Sequence, residues 1–178
     1  MVVTTVKHNA PILIGDYPFA DRVKEEVLSR LKYCNPIPQD KSNVKASIHT
    51  EWEWEPDNIT LRNIKGYIRE EVERYFKPGA QSDGTRKMLF HANFWLNVYE
   101  KGDYAQPHCH KPNNYSFAYF VKAEWYHSPL IFTYSGKRIR PKEGRYVAFP
   151  SYLRHHVPKH RYNGTRVTLS GNLRVKDT

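Results

Sequence analysis

Apolar residues recur with helical spacing in two segments of the N-terminal half of the chain. In the segment from Phe19 to Tyr33 they stand at Phe19, Val23, Val27, Leu28 and Leu31. In the segment from Ile59 to Phe76 they stand at Ile59, Leu61, Ile64, Ile68, Val72 and Phe76, before a stop signal at Lys77-Pro78-Gly79. Residues three and four positions apart share one face of an α-helix. The pattern therefore predicts two amphipathic helices whose apolar faces pack against a sheet.

The C-terminal half changes to short apolar and aromatic runs separated by Gly and Pro. Five runs are predicted strands: Met88 to Tyr99, Tyr115 to Glu124, Leu130 to Tyr134, Arg145 to Phe149 and Arg166 to Val175. Short strands at close spacing with turns between them are typical of a sandwich or barrel. We therefore expect one mainly β domain over residues 1–178, with a helical buttress and N-terminal strands in 1–87 and a β core in 88–178. The segment 36–57, which contains Trp52 and Trp54, receives no element.

The composition indicates the cellular compartment of the protein. It has only two cysteines among 178 residues, too few for a disulfide framework, so a reducing compartment is the simpler interpretation. The first residues, Met1 to Lys7, do not form a charged region followed by a long apolar run, and no stretch is as long as a membrane span. The sequence thus predicts a cytoplasmic protein without a membrane partner.

The charge is strongly basic, at +10 from 28 basic and 18 acidic residues. Part of it lies in the C-terminal third, at Lys137, Arg138, Arg140, Lys142, Arg145, Arg154, Lys159 and Arg161. A solvated loop surface and recruitment of an anionic partner such as nucleic acid both fit this distribution. No nucleic-acid-binding motif decides between them.

Three histidines and an arginine in the β-rich half have the pattern of a metal site. His108 and His110 fall on one face of an extended segment, because side chains repeat every second residue, and His155 can add a third imidazole from another strand. Neutral imidazoles suit iron, copper, zinc or nickel. The planar fork of Arg166 fits a carboxylate. On the same alternation Cys109 is expected to be a small core residue, and His156 faces away from His155.

These residues belong to a longer ordered pattern. It consists of Phe94-Trp95-Leu96-Asn97-Val98-Tyr99-Glu100-Lys101-Gly102-Asp103, His108-Cys109-His110, Tyr115-Ser116-Phe117-Ala118-Tyr119-Phe120-Val121, Phe149-Pro150-Ser151-Tyr152-Leu153-Arg154-His155-His156-Val157 and Arg166-Val167-Thr168-Leu169-Ser170-Gly171-Asn172. Over about residues 90 to 175 the chain resembles the Fe(II)/2-oxoglutarate-dependent oxygenases, in particular a branch common in bacteria and phages. The resemblance implies a double-stranded β-helix, the cupin-like jelly roll, whose mouth gathers the site.

The resemblance also implies roles for individual residues. His108 and His155 would be metal ligands, and His110 stands where most of the family has Asp or Glu. Arg166 would bind the distal carboxylate of 2-oxoglutarate. The other implied co-substrate residues are Tyr99, Ser116, Thr168, Ser170 and Asn172. Ser116 or Ser170 would assist Arg166, because Phe120 stands where some hydroxylases use a tyrosine.

By the same resemblance, the activity would use Fe(II), 2-oxoglutarate and O2, release succinate and CO2, and hydroxylate a protein side chain, nucleobase or small molecule. Two alternatives stay open. A cupin-type dioxygenase would bind its substrate on a three-histidine iron without 2-oxoglutarate, and Arg166 would then hold a substrate carboxylate. A basic jelly-roll binding module with structural or zinc-binding histidines would show no turnover and salt-sensitive anion binding.

Overall fold

In the part of the chain that the structure describes, two antiparallel sheets face each other, and two helices cover the outer side of the larger one. The computed structural model describes residues 9–34, 36–38, 40, 42–54, 57–76 and 89–175. The helices are α1 (Ala20–Arg30), which continues into a short 3-10 turn (Leu31–Tyr33), and α2 (Ile59–Phe76). The strands are β1 (Leu13–Asp16), β2 (Val44–Lys45), β3 (Ile48–His49), β4 (Leu89–Tyr99), β5 (Tyr104–His108), β6 (Tyr115–Lys122), β7 (Leu130–Phe132), β8 (Arg138–Ile139), β9 (Arg145–Pro150), β10 (His155–Val157) and β11 (Arg166–Val175).

The major sheet has six strands in the order β1-β9-β6-β11-β4-β3, and the minor sheet has five in the order β2-β5-β10-β7-β8. Neighbouring strands of both sheets pair antiparallel. Successive strands of the chain often lie in opposite sheets, as β4 and β5 do. This arrangement confirms the predicted fold class, a mainly β double-stranded β-helix with flanking helices.

The alternation of side chains along β11 divides the protein into two cores. Val167 and Leu169 point toward the helices, where they join the apolar faces of α1 and α2, including Val27 and Ile68. The opposite face of the major sheet meets the minor sheet in a second core, made of Val44, Ala46, Tyr99, Ala105, Phe120, Ala123, Leu130, Phe132, Ile139, Val147, Phe149 and Val157. Each fully buried aliphatic or aromatic side chain stabilises the fold by about 1.5–3 kcal/mol. Arg166 lies on the face that looks into this second core.

The long predicted elements agree with the structure. The helix at 59–76 and the strand at 166–175 have the predicted bounds, and the other long elements differ by one to three residues at an end. The predicted stop at Lys77-Pro78-Gly79 and the residue Met88 lie outside the described part of the chain. No bounds were predicted for six strands of two to five residues: β1, β2, β3, β5, β8 and β10. They are too short to show a hydrophobic period.

One core prediction is wrong. Cys109 is exposed, because β5 ends at His108 and the strict alternation of the strand ends with it. Neither described helix is long and apolar enough to cross a membrane.

Candidate metal centre and anion pocket

Three histidines from separate parts of the minor sheet and its loops meet at one point. His155 begins β10 and lies directly opposite His108, the last residue of β5. His110 follows two residues later in the loop after β5, and its N–H donates to the carbonyl of Ser151 at 2.9 Å. One ligand atom from each of the three rings lies within 4.8 Å of the other two. The group can therefore share a single metal ion.

The hydrogen bonds of two rings direct their lone pairs. His108 Nδ1 lies 2.7 Å from the carbonyl oxygen of Gln106, and His155 Nδ1 lies 2.9 Å from that of Leu153. A carbonyl only accepts, so each Nδ1 carries the proton and each Nε2 keeps a free lone pair. His110 Nε2 is 3.3 Å from His155 Nε2. Metal-binding histidines are oriented by this kind of backbone contact.

Burial holds all three rings in the neutral form. Desolvation, followed by the neighbouring charges of His155 and His108, lowers the pKa of His110 to about 2. Desolvation and His108 likewise lower the pKa of His155 to about 3, and burial lowers the pKa of His108 as well. Near neutral pH the imidazoles therefore offer lone pairs to a metal with few protons to displace.

The metal-free protein is expected to lose stability as the pH falls below about 6.5, the ordinary pKa of histidine. Between that pH and the lowered folded-state pKa values, the unfolded chain binds more protons than the folded chain, so the free energy of unfolding decreases. The expected slope is roughly 1 kcal/mol per pH unit for each such histidine. Urea unfolding in a chelator, from pH 7.5 to 4.5, measures it. Since other histidines also titrate, His110→Gln isolates the contribution of His110, and an unchanged slope in that variant would contradict the prediction.

A buried guanidinium lies in the same cavity. Arg166 is 1% exposed, and its Cζ lies 4.8 Å from the ring centre of Tyr99 and 5.2 Å from that of Phe120. Burial lowers its pKa to about 10, against the opposing effect of Tyr99, so the group stays charged at neutral pH. Its Nε and Nη1 have no hydrogen-bond partner within the described chain. A buried charge without a partner costs several kcal/mol, and this planar fork fits a carboxylate.

The cavity wall continues from Arg166 toward the histidines. Thr168 and Ser170, on the same face of β11, line it together with Tyr99 and the three histidines. Thr168 Oγ1 is buried without a partner within the described residues, and Ser170 Oγ accepts a hydrogen bond of 3.3 Å from Asn97 Nδ2. Burial raises the pKa of Tyr99 to about 12, so its phenol is neutral beside the guanidinium.

Ser116 and Asn172 do not line this cavity. Asn172 lies six residues along β11 from Arg166, a distance of about 20 Å on an extended strand. Ser116 Oγ is 2.7 Å from both Ser151 Oγ and Asn172 Oδ1. Ser151 in turn accepts the backbone N–H of His110. The two residues therefore support the loop that carries His110, and of the two helpers expected for Arg166 only Ser170 lies in its cavity.

The cavity also contains residues that the sequence did not single out as site residues. Trp52 and Trp95 pack at 4.7 Å between ring centres and lie 6.2 and 5.5 Å from the ring of His110. His49 is not a lining residue, but it donates from Nδ1 to Oδ1 of the lining residue Asn97 at 2.6 Å, and its Nε2 has no partner in the described chain. Alternation with Tyr99 along β4 was a usable signal for Trp95 and Asn97. Trp52 lies in a segment without periodicity and gave none.

The chain is similar to known proteins in structure, whereas comparisons of its sequence find no match. No protein-family model matches the chain, and no curated protein matches its sequence. The viral collagen prolyl hydroxylase of Paramecium bursaria Chlorella virus 1, in complex with 2-oxoglutarate, superposes with a TM-score of 0.69 at 14% identity, over 93% of this chain and 96% of that one. A prolyl-4-hydroxylase of Pseudomonas putida gives a TM-score of 0.68 at 15% identity, over 94% of each chain.

A third structure, a prolyl hydroxylase of Trichoplax adhaerens in complex with a peptide fragment of a hypoxia-inducible factor, gives a TM-score of 0.67 at 12% identity. The match covers 92% of this chain and 83% of that one. Together the three comparisons show that the chain has the double-stranded β-helix fold of 2-oxoglutarate oxygenases.

Proposed function

We propose that the protein is an Fe(II)- and 2-oxoglutarate-dependent dioxygenase that hydroxylates a carbon–hydrogen bond of its substrate and releases succinate and CO2. The observation that carries the proposal is the pairing of two features in one cavity. Three neutral histidines can hold a metal, and a buried, unpaired guanidinium faces the same space. A 2-oxo acid with a second, distal carboxylate has the chemical groups that these two features bind.

Each residue has a role in this proposal. His108, His110 and His155 hold Fe(II), which when bound supplies the redox chemistry that couples O2 to oxidative decarboxylation of 2-oxoglutarate. Arg166 binds the distal carboxylate through its fork, and the unpaired hydroxyl of Thr168 is available beside it. The neutral ring of Tyr99 lies against the guanidinium and fixes its position. Apolar residues of the second core, such as Phe149 and Val157, line the cavity and exclude water.

A peptidyl proline is the first candidate substrate. Trp52 is 40% exposed and lies beside the buried ring of Trp95 and the proposed ligand His110. The two indoles provide an apolar wall at the metal end of the cavity, against which the saturated ring of a proline can pack. The three structural neighbours named above are prolyl hydroxylases, which supports testing this substrate first.

The test is formation of succinate from 2-oxoglutarate by the Fe(II)-loaded protein in air, with proline-containing peptides present. We expect succinate only when Fe(II), 2-oxoglutarate and O2 are all supplied, and the gain of one oxygen atom by a peptide in the mass spectrum. The Zn(II)-loaded protein is the control, because zinc binds histidine but does not change oxidation state. Succinate without a modified peptide would reject the proline substrate but keep the co-substrate. Absence of succinate would reject the proposed function.

The ligand set itself favours a second candidate. None of the three clustered groups is a carboxylate, so a bound Fe(II) keeps its full charge, as in a cupin-type dioxygenase that binds its organic substrate directly. Arg166 would then hold a carboxylate of that substrate. This enzyme would consume O2 without forming succinate, whereas a non-catalytic binding module would consume none.

His110→Asp is expected to retain Fe(II), because aspartate restores the charged ligand that most of the resembling family has at this position. The matched variant His110→Asn has the same shape without the charge, and we expect it to bind Fe(II) about tenfold or more weakly than His110→Asp. Anaerobic titration and the iron content of the folded variants measure the difference. If the Asp variant holds no more iron than the Asn variant, the side chain at position 110 does not reach the metal.

A further inference from the structure

A groove on the outer face of the minor sheet is a second candidate site. Its volume is about 450 Å³, within the range of about 300–1,000 Å³ for ligand sites. Ile131 of β7 lines it, whereas its neighbours Leu130 and Phe132 point into the core between the sheets. The groove and the metal cavity share no lining residue. An inference about it is therefore independent of the proposed function.

The groove is strongly positive. Four of its lining residues are cations, Arg138, Arg140, Lys159 and Arg161, and no carboxylate belongs to the described lining. All four are exposed, and none forms an ion pair with a described residue. Like charges gathered around one concave surface repel one another and attract a polyanion. Three of the four are arginines, whose forks fit phosphate oxygens two at a time.

Aromatic rings stand among these cations. Trp125 and Tyr162 are 69% and 53% exposed, and both line the groove with Tyr126. The two tyrosine rings lie 5.3 Å apart, and the ring of Trp125 lies 5.8 Å from that of Tyr126. The guanidinium of Arg140 lies over the ring of Trp125, 6.0 Å from its centre. An acidic peptide needs only the cations. Exposed rings alternating with cations are what a nucleic acid strand uses, since bases stack on the rings while phosphates meet the cations.

We infer that this basic aromatic groove binds single-stranded nucleic acid. The four cations contact backbone phosphates, and Trp125, Tyr126 and Tyr162 provide faces on which unpaired bases stack. Stacking and charge read no particular sequence, so binding is expected to tolerate any base order. The groove accounts for part of the +10 net charge, and it places the anionic partner on the opposite side of the minor sheet from the metal cavity.

Fluorescence anisotropy with labelled oligonucleotides of about 12 nucleotides, in a DNA and an RNA form, tests the inference. Four phosphate contacts predict a slope of about −3 for the logarithm of the association constant against the logarithm of salt concentration. Trp125→Ala should weaken binding by about 5- to 100-fold. Arg140→Ala should weaken binding and reduce the slope by about 0.7.

The helix side offers a matched control. Lys32 lies 4.8 Å over the ring of Tyr33, which is 74% exposed, so this pair repeats the cation and ring of Arg140 and Trp125 away from the groove. Tyr33→Ala and Lys32→Ala are expected to bind the oligonucleotides as the wild type does. Circular dichroism checks that all four variants keep the fold.

Three results would overturn the inference. The first is an absence of binding at low salt. The second is an equal loss of affinity in the groove variants and the helix-side variants. The third is competition by poly-glutamate or by a free mononucleotide as effective as competition by unlabelled oligonucleotide, which would assign the groove to an acidic protein or to a small nucleotide. Preferential competition by single-stranded over double-stranded nucleic acid supports it.

Discussion

His155→Ala is expected to lower Fe(II) affinity by more than about 100-fold and to abolish turnover, because mutations of residues that only support metal ligands already cost about 10- to 100-fold. His155 is the third imidazole of the cluster, and its backbone contact directs Nε2 toward the other two rings. Two remaining imidazoles cannot fix a three-ligand face. Anaerobic Fe(II) titration, followed by the succinate assay on the same samples, measures both effects.

The next residue provides the control. His156 faces the other side of β10, where its Nδ1 lies 3.2 Å from Thr133 Oγ1. His156→Ala removes the same side chain one position away and should leave Fe(II) affinity near that of the wild type. His155→Gln keeps more of the packing against Phe149, whose ring centre is 4.8 Å away, and separates ligand loss from misfolding. A folded His155 variant with full iron content and turnover would remove His155 from the ligand set.

Arg166→Ala is expected to weaken 2-oxoglutarate binding by about tenfold or more while Fe(II) affinity stays near normal. Truncating one partner of a buried charged pair costs roughly 2–5 kcal/mol, and each tenfold change in affinity corresponds to about 1.4 kcal/mol. Arg166→Lys should recover only part of the affinity, because a point charge cannot form two parallel hydrogen bonds to a carboxylate. Anaerobic titration of 2-oxoglutarate into the Fe(II) protein, followed by absorption, gives the affinities.

Arg22→Ala is a suitable comparison for this experiment. Arg22 also lies over an aromatic ring, 5.5 Å from the ring centre of Phe19, but it is exposed on α1. Its removal changes the net charge by the same one unit as removal of Arg166 and should not change the affinity for 2-oxoglutarate. Equal affinities for the wild type and Arg166→Ala would exclude Arg166 from the co-substrate site and favour the cupin-type enzyme or the binding module.

The sequence predicted the parts of the fold that have a long hydrophobic period. The helix at 59–76 spans five turns, and the strand at 166–175 alternates over ten residues, so both bounds could be read directly. β2 and β3 have two residues each, and they exist because the edges of β5 and β4 offer backbone hydrogen bonds. That cause is tertiary, and no local pattern records it.

The candidate site shows the same division. Alternation placed Arg166, Thr168, Ser170 and Asn172 on one face of the strand. It did not show how far along that face the cavity extends, so it could not show that Asn172 lies outside the cavity. The sequence placed His108 and His110 on one face of a single strand, but a shared strand face is not the reason why they lie close together. The strand ends at His108, and a loop held by Ser151 turns His110 toward the same point. Such a loop depends on contacts between residues far apart in sequence.

The two faces of β11 also set how this protein can change over evolution. Val167, Leu169 and Leu173 contribute only to the helix-side core, so selection on them is selection for folding, and any apolar side chain of similar volume meets it. Thr168 and Ser170 contribute to the cavity wall, where a substitution alters the ligand that fits while the scaffold persists. Alternate residues of a single strand are therefore under two nearly independent constraints, one from folding and one from ligand binding. Engineering of a new ligand preference should begin at Thr168 and Ser170.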